Sequence, residues 1–339
     1  MSVSEPLLSI VDLCVDYISD DGIARAVNHV NLDIYAGETV GLAGESGCGK
    51  STLAFAIANL HSAPALISSG QIKFQGKDVL AMNQEELRKF RWAQASMVFQ
   101  SAMNALNPVI TIGDQLTDVV LAHEEVTQKQ AEQRAEELLQ LVGIHSSRMN
   151  SYPHQLSGGM RQRVVIAIAL ILRPKLIIMD EPTTALDVVV ERDIMDQLYT
   201  LKEQFGFAIL FISHDLALMG QITDRIGIMY AGKVVELGQA DGVLTRPQHP
   251  YTQGLVRSFP TIHGPKERLE GISGHPLNLL NVPQGCYFHE RCSQCEAKCI
   301  EVSPNIEPFH VPEERFVACH KAASHVSSNR IPAPKGAAS

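Results

Sequence analysis

The apolar positions of the chain follow patterns that distinguish strands from helices. Apolar and polar residues alternate over 9–17, and a similar pattern resumes over 26–34, which predicts two half-buried strands. A short apolar strand over 38–43 runs into a glycine-rich loop. The segments 176–179 and 208–212 are apolar on both faces, as expected of central strands in a parallel sheet.

Three further segments have the features of helices. Residues 50–60 are apolar, alanine-rich and free of helix breakers, and 164–172 is apolar all round, which predicts a buried helix. Residues 127–130 have the spacing of a capping box, and they open an amphipathic helix that Gly143 can close. Short buried strands that alternate with helices predict an α/β fold.

The character of the chain changes after Thr245. Prolines then interrupt any long element, at Pro247, Pro250, Pro260, Pro265, Pro276, Pro283, Pro304, Pro308 and Pro312. We therefore place a domain boundary near 245: a main domain over 1–245, whose helical part covers about 95–173, precedes an extension over 246–323. The last residues, 324–339, are small, polar and proline-containing, and we expect them to be disordered.

Composition limits the classes of function. With 339 residues, of which 45% are apolar, the chain can bury a sizeable core and is long enough for one large domain plus an appendage. A net charge of −9 and the lack of a basic block argue against non-specific binding of nucleic acid. The longest apolar run, Val164–Leu172, is far shorter than the ~20 residues that a membrane span needs. Residues 1–8 lack the pattern of a secretory signal, so we expect the chain to stay where it is made.

The glycine-rich loop fits a phosphate-binding pattern. It lies between a predicted strand and a predicted helix and matches G-x4-G-K-[ST] with Gly44, Glu45, Ser46, Gly47, Cys48, Gly49, Lys50, Ser51 and Thr52. The glycines allow successive backbone N–H groups to face a phosphate, and the helix N-terminus adds its positive dipole end. Lys50 can neutralise the β- and γ-phosphates, and Ser51 can hold Mg²⁺. The alternative, a chance glycine-rich turn, does not account for the order of strand, loop and helix.

Two other segments extend this phosphate chemistry. The strand at 176–179 leads into Asp180, which can hold Mg²⁺ through water, and Glu181, which could polarise an attacking water. Many buried strands also end in a solvated acidic turn, which is the alternative for this pair. Ser157–Gly159 precede the apolar helix and make a second helix start suited to an anion, although an ordinary helix cap has the same pattern. Two such helix starts exceed what one nucleotide in one subunit requires.

With these motifs, the chain resembles the ATP-binding subunits of ABC transporters over roughly residues 7–245. The motifs, in order, are the phosphate loop Gly44–Thr52, the Q-loop Gln100, the LSGGM signature with Ser157, Gly158 and Gly159, the strand Leu176–Glu181, the D-loop Ala185-Leu186-Asp187 and the switch histidine His214. The resemblance implies an α/β fold, a P-loop NTPase ABC ATPase core with antiparallel β and α-helical subdomains. It also implies that ATP is held between the phosphate loop of one subunit and the signature of the other, which explains the second helix start.

For the chemistry of hydrolysis, the resemblance assigns roles to single residues. Lys50, Ser51 and Asp180 would bind phosphate and Mg²⁺. Glu181 would be the base that activates water for in-line attack on the γ-phosphate. The signature residues and Asp187 would belong to the nucleotide-binding set.

Three more residues would complete the site that the resemblance implies. His214 would contact the γ-phosphate and keep the site closed, Gln100 would contact Mg²⁺ or the lytic water and report to the membrane subunit, and Tyr17 would stack on adenine. Without the family, His214 is an ordinary structural histidine and Tyr17 a plain strand aromatic. The chain departs from the family pattern at Met160, where many relatives have Gln, and at Cys48, where Ser is commoner. The loop works through backbone N–H groups, so we expect activity to survive the second departure.

The cysteines are unevenly distributed. Five of the seven fall within 34 residues of the extension: Cys286, Cys292, Cys295, Cys299 and Cys319. Without an export signal a disulfide framework is not expected, so the cluster indicates a metal site, either for Zn²⁺ or for an iron–sulfur cluster. Zinc sites favour paired C-x2-C units, and only Cys292 and Cys295 have that spacing, with His289 and His320 as further candidate ligands. Adventitious thiols are the remaining alternative.

The extension narrows the resemblance to the oligopeptide/dipeptide/nickel importer branch of the family. The segments that carry it are Pro247–Thr252, Gly285–Cys286, Arg291–Cys292 and Val317–His320. Many ATPases of this branch hold a [4Fe-4S] cluster on four cysteines of such an extension. The implied ligands here are Cys286, Cys292, Cys299 and Cys319. Cys295 is extra relative to that pattern; an iron–sulfur cluster is the expected group, with zinc or neither as alternatives.

The resemblance also implies partners and a location. An importer ATPase of this branch works with two membrane permeases and an extracytoplasmic solute-binding protein, and a second homologous ATP-binding subunit makes a heterodimer the expected form. The chain would be peripheral on the cytoplasmic face of the cell (inner) membrane, would drive uptake of peptides or a related small solute, and would have no nucleic-acid partner. The alternatives are a soluble ABC-type ATPase that acts on nucleic acid or ribosomes, and a structural or redox-sensing protein built around the cysteines.

Overall fold

The structure, a computed structural model, describes residues 5–99, 105–182, 187–258, 271–310 and 314–322. Its strands are β1 (Leu8–Ser19), β2 (Gly22–Ile34), β3 (Thr39–Ala43), β4 (Ala65–Phe74), β5 (Lys77–Asp78), β6 (Ala95–Val98), β7 (Leu176–Asp180), β8 (Ala208–Ile212), β9 (Arg225–Tyr230), β10 (Lys233–Gln239), β11 (Glu307–His310) and β12 (Glu314–Val317). Its α-helices are α1 (Lys50–Ile57), α2 (Gln84–Phe90), α3 (Ile112–His123), α4 (Gln128–Leu141), α5 (Gly158–Leu170), α6 (Val188–Phe205), α7 (Leu216–Ile222), α8 (Ala240–Thr245), α9 (Pro250–Arg257) and α10 (Ala297–Glu301). The chain folds into two compact units, a first unit of residues 1–35, 39–80 and 211–339 and a second unit of residues 36–38 and 81–210.

The first unit contains a four-stranded antiparallel sheet in the order β2–β1–β4–β5. The predicted strands at 9–17 and 26–34 are β1 and β2, which a tight turn joins. Register shifts in β1 break the strict alternation, so Cys14 and Asp16 are buried along with their apolar neighbours. Arg25 compensates the Asp16 carboxylate with two hydrogen bonds of 2.8 and 3.1 Å, and these lower the pKa of Asp16.

A second sheet of the first unit has the strand order β11–β12–β10–β9–β3. Strand β3 runs parallel to β9, and the other neighbours are antiparallel. Strands β11 and β12 come from the extension, so the chain beyond 245 adds two strands to this sheet. Glu236 on β10 and Arg315 on β12 are fully buried and form an ion pair of 3.2 Å. The domain boundary near 245 stays a prediction.

The second unit combines a parallel strand pair with capped helices. Strands β6 and β7 are parallel neighbours, and every residue of β7 is buried, as the apolar run at 176–179 predicts. The helix predicted from 127–130 is α4, whose capping box is confirmed by hydrogen bonds between Thr127 and Gln130 in both directions. Gly143 follows the end of α4 with a φ of 72°, the left-handed conformation expected at a helix C-terminus.

The apolar helix predicted at 164–172 is α5, which begins six residues earlier, at Gly158. Ser157 caps it, so the two signature glycines lie inside the first turn rather than before it. The strand predicted at 208–212 is β8, and all of its residues are buried. An α/β fold is therefore confirmed by the elements themselves.

Some predictions fall outside the described residues. Among the helices that the described ranges contain, none is long and apolar enough to cross a membrane. The tail at 324–339, Gln100 and Ala185-Leu186 of the predicted site lie outside those ranges.

Candidate functional site

The phosphate loop of the first unit connects the fully buried strand β3 to α1. Gly44, Gly47 and Gly49 all have positive φ, at 151°, 78° and 107°. A Cβ on Gly44 would lie 2.1 Å from the carbonyl oxygen of Met229. A Cβ on Gly49 would lie 2.0 Å from the carbonyl oxygen of Ala26. The loop therefore requires glycine at both positions, for backbone conformation and for space.

Lys50 is the first residue of α1, and only 5% of it is exposed. Its Nζ donates to the carbonyl oxygens of Gly44, at 2.8 Å, and Glu45, at 3.0 Å. The ammonium group thus links the end of the loop to carbonyl groups at its start. It places a full positive charge at a helix N-terminus, where the helix dipole also favours an anion.

Cys48 lies between the second and third glycines of the phosphate loop. Its side chain is buried, and its Sγ lies 3.6 Å from Lys50 Nζ. Burial raises the pKa of the Cys48 thiol, although Lys50 opposes this shift. The thiol is therefore neutral near pH 7 and adds no negative charge to a loop suited to phosphate.

Tyr17 lies beside the end of the phosphate loop. Its hydroxyl oxygen is 3.3 Å from Oγ1 of Thr52, and its side chain is half-buried on β1. The first unit thus brings the predicted adenine-stacking residue next to the predicted phosphate-binding loop.

The second unit carries the predicted pair of carboxylates at the end of β7. Asp180 is the last residue of that strand and is 2% exposed. Glu181 is half-buried and has a φ of 47°. A left-handed conformation at a residue other than glycine costs about 1–3 kcal/mol and persists only where the surrounding structure enforces it. Seven other non-glycine residues of the described ranges also have a positive φ, so the catalytic role of Glu181 stays a prediction.

His214 follows β8 in the first unit, and its side chain is exposed. The residue after it, Asp215, caps α7 by accepting hydrogen bonds from the N–H groups of Ala217 and Leu218. His214 is therefore an exposed residue just before an anchored helix start, and its role as a γ-phosphate sensor stays a prediction.

The signature forms an accessible helix start in the second unit. Ser157 Oγ accepts a hydrogen bond from the N–H of Met160 at 3.3 Å, and the Ser157 side chain is exposed. A Cβ on Gly159 would lie 2.7 Å from Cγ1 of Val190, so α6 packs tightly against this turn. Asp187 is also exposed and caps α6 through the N–H of Val190 at 2.9 Å.

Four cysteines of the extension line one small cavity in the first unit. These lining cysteines are Cys286, Cys292, Cys299 and Cys319. The cavity encloses about 10 Å³, roughly one water position, and His289 and His320 also border it. Cys295 is exposed and lies outside this lining. None of the seven cysteines, all within the described ranges, forms a disulfide.

The four cysteine side chains that line this cavity match, in type and in number, the ligands of a group held by four thiolates. Burial, followed by the neighbouring cysteines, raises the pKa of Cys286 to about 11. Within the described residues, however, no three donor side chains are close enough together to hold a metal ion. A bound group would therefore have to draw the thiols into place and widen the cavity.

Two residues of the extension contact the phosphate loop, and no sequence pattern predicts these contacts. The hydroxyl oxygen of Tyr251 accepts a hydrogen bond from the N–H of Glu45 at 2.8 Å, and Arg291 forms an ion pair with the Glu45 carboxylate. They lie 206 and 246 residues from Glu45 in sequence, so no local pattern indicates the contacts.

Comparisons with known proteins agree with these motifs. Residues 27–184 match the ABC transporter family, and residues 235–299 match the family described as the oligopeptide/dipeptide transporter, C-terminal region. The chain is 42% identical to the oligopeptide transport ATP-binding protein OppD of Escherichia coli (strain K12), over 94% of each chain. It is 41% identical to the dipeptide transport ATP-binding protein DppD of Bacillus subtilis (strain 168), over 88% of this chain and 90% of that protein.

A solved structure has the same fold. The dimeric, post-hydrolysis structure of the ATP-binding cassette MJ0796 bound to ADP and Pi superposes with a TM-score of 0.62 and 29% identity. The match covers 69% of this chain and 98% of that one. The phosphate loop, the acidic strand end and the signature helix thus occur here on the scaffold of an ATP-binding cassette. This chain belongs to the ATP-binding proteins of the ABC transporter family, in the branch with the oligopeptide/dipeptide transporter C-terminal region, and it is an ABC-type ATPase.

Proposed function

We propose that this chain powers the import of peptides or a related small solute by hydrolysing ATP at a dimer interface. The observation that carries the proposal is the joint occurrence of a full ATP-binding cassette and the oligopeptide/dipeptide transporter region in one chain. Several relatives that match over most of their length are named as oligopeptide or dipeptide transport ATP-binding proteins. The nucleic-acid alternative has no support among these matches.

Within the site, each chemical task has a candidate residue. Lys50 and the loop N–H groups would bind the phosphates, and Ser51 and Asp180 would hold Mg²⁺, which would supply neutralising charge for phosphoryl transfer. Glu181 accepts a proton from the attacking water. His214 contacts the γ-phosphate, and Tyr17 supports the adenine. Gln100, which lies outside the described residues, would contact Mg²⁺ or the water and report to the membrane subunit.

The signature helix start serves a second subunit. Ser157 is exposed, and an accessible helix N-terminus suits a phosphate from another chain. We infer that Ser157, Gly158, Gly159 and Asp187 bind the nucleotide held by the partner's phosphate loop. A homologous ATP-binding chain is the proposed partner, in a heterodimer.

The proposed assembly includes two permeases and an extracytoplasmic solute-binding protein. The support for this assembly is the similarity to oligopeptide and dipeptide transport ATP-binding proteins. The proposed location is the cytoplasmic face of the cell (inner) membrane, with the permeases as anchors.

Isolation of the chain from its native cells tests this function directly. We expect a tagged chain to be recovered from the membrane fraction with two hydrophobic permeases and a homologous ATPase, and without nucleic acid. Mass spectrometry of the detergent-solubilised complex identifies these chains, and the tag alone is the control. Recovery with ribosomes or nucleic acid, and no permease, would support the alternative function.

We further propose that the extension binds a [4Fe-4S] cluster through Cys286, Cys292, Cys299 and Cys319. The supporting observation is that these four thiols line one cavity, whereas Cys295 is exposed outside it. Such a cluster would supply a cross-link between segments of the extension that share little regular structure. The competing group, Zn²⁺, would use a cysteine pair together with His289 or His320.

The bound group is identified by anaerobic purification. We expect a brown protein with about four irons and four sulfides per chain. Cys299→Ser should lose most of this iron, because Cys299 is buried at the cavity, and Cys295→Ser, the matched control, should keep it. A colourless protein with one zinc per chain, or equal loss of iron in the two variants, would contradict the assignment.

A further inference from the structure

The Cys-rich extension is joined to the phosphate loop by a bidentate ion pair. Arg291 Nη1 and Nη2 donate to the two carboxylate oxygens of Glu45 at 2.7 and 2.8 Å. The Arg291 side chain is 6% exposed, and that of Glu45 is 25% exposed. A two-bond pair with one buried partner is better defined than an ordinary surface ion pair.

The surroundings of Arg291 hold its guanidinium in one place. Its Nε donates to the carbonyl oxygen of Ser273 at 2.9 Å. The guanidinium also lies over the rings of Tyr230 and Phe288, with 5.7 and 5.8 Å to their centroids. The positive charge is thus fixed before any nucleotide arrives.

Glu45 also has a second partner in the extension, through its backbone N–H. The N–H of Glu45 donates to the hydroxyl oxygen of Tyr251, which is fully buried and packs against Tyr230 and Phe288. The carbonyl oxygen of Glu45 in turn accepts from Lys50 Nζ. All three polar groups of Glu45 therefore have partners, two of which lie beyond residue 230 of the chain.

The charge of Glu45 explains why such restraint matters. A carboxylate in a loop that binds polyphosphate repels its ligand, by an amount that grows as the site is shielded from water. Arg291 cancels this charge and turns the carboxylate toward the extension.

We propose that Arg291 is a positioning residue for ATP binding: it neutralises and orients Glu45 so that the phosphate loop accepts a polyanion. The inference rests on the proposed role of the phosphate loop in ATP binding. It gives the extension a direct function in the ATPase cycle through Arg291.

The test compares ATP affinity and turnover in four variants of the full chain. Arg291→Gln should raise the Kd and KM for ATP about tenfold, with kcat within about twofold, because one carboxylate is left uncompensated at a partly exposed site. The double variant Arg291→Gln/Glu45→Gln should regain most of the lost affinity, since the repelling charge is gone. Arg291→Lys keeps the charge and should stay within about threefold. The tenfold loss should also shrink at high salt, where the repulsion is screened.

The control is Arg134→Gln, which removes an ion pair of 2.7 Å with Glu124 in the second unit and should leave ATP affinity unchanged. Lack of rescue by Glu45→Gln, or a tenfold loss in a folded Arg291→Lys variant, would overturn the inference, because a purely structural role predicts both. Lys50→Ala distinguishes failure of the proposed phosphate site from failure of the role proposed for Arg291. If it binds ATP normally, the phosphate site itself is refuted; if it loses ATP while Arg291→Gln binds normally, only the role of Arg291 is refuted.

Discussion

Glu181→Gln is expected to bind ATP and Mg²⁺ normally and to hydrolyse ATP about 10²- to 10⁴-fold more slowly. The loss is the usual contribution of a positioned general base, since the amide cannot accept the proton of the attacking water. The change is close to isosteric, so the strained turn at φ 47° should persist. Because hydrolysis is what opens the proposed sandwich, the variant should also accumulate as a closed dimer with ATP.

Single-turnover assays with labelled ATP measure the rate, and size-exclusion chromatography with and without ATP measures the dimer. Glu203→Gln is a matched control, because the same change falls on an exposed residue of α6 in the same unit. Turnover near that of the unmodified chain would exclude Glu181 as the base. Loss of ATP binding would show instead that the change disturbs the fold of the site.

Gly49→Ala is expected to abolish ATP binding, with at least about a 100-fold rise in Kd. The added methyl group would meet the Ala26 carbonyl oxygen at 2.0 Å, in a residue whose φ is 107°. Relief of that contact moves the backbone N–H groups that face the phosphates, and a distortion of about 3 kcal/mol corresponds to more than 100-fold in affinity.

Gly47→Ala distinguishes the effect of steric crowding on ATP affinity from the effect of backbone conformation. Gly47 also has a positive φ, of 78°, yet a Cβ there would have no neighbour within 4 Å. We expect it to lose clearly less affinity than Gly49→Ala. Isothermal titration with a non-hydrolysable ATP analogue measures both, and circular dichroism shows whether each variant is folded. Equal losses in the two variants would mean that crowding at Gly49 is unimportant.

Local signals account for most elements that were predicted correctly. The buried strands β7 and β8 have continuous apolar runs, and the capping box that starts at Thr127 has its residues at fixed offsets, so each is encoded within a few neighbouring positions. The phosphate loop is also encoded locally, since its glycines and Lys50 all fall within the segment 44–50. The role predicted for His214 rests on family resemblance alone, because no local pattern marks that residue.

The features that were missed depend on contacts between distant segments. The burial of Cys14 and Asp16 follows from register shifts against two neighbouring strands, which a single strand's alternation does not reveal. The contact of Arg291 with Glu45 joins residues 246 positions apart. The family pattern marks Arg291 only as part of the segment Arg291–Cys292 and indicates no partner for it. α5 begins earlier than its apolar run because glycines in a first turn are tolerated once a serine caps it.

The extension adds two strands to the sheet, so its deletion would disturb the structure of the remaining chain. Glu236 is completely buried, and the Arg315 guanidinium 3.2 Å away comes from β12. A chain that stopped after α8 would leave this carboxylate without its cation and would leave the backbone of β10 as an open edge, a surface that invites aggregation. Gene fusions or shortened relatives that lack the extension would therefore need compensating substitutions on β10, such as an apolar residue in place of Glu236.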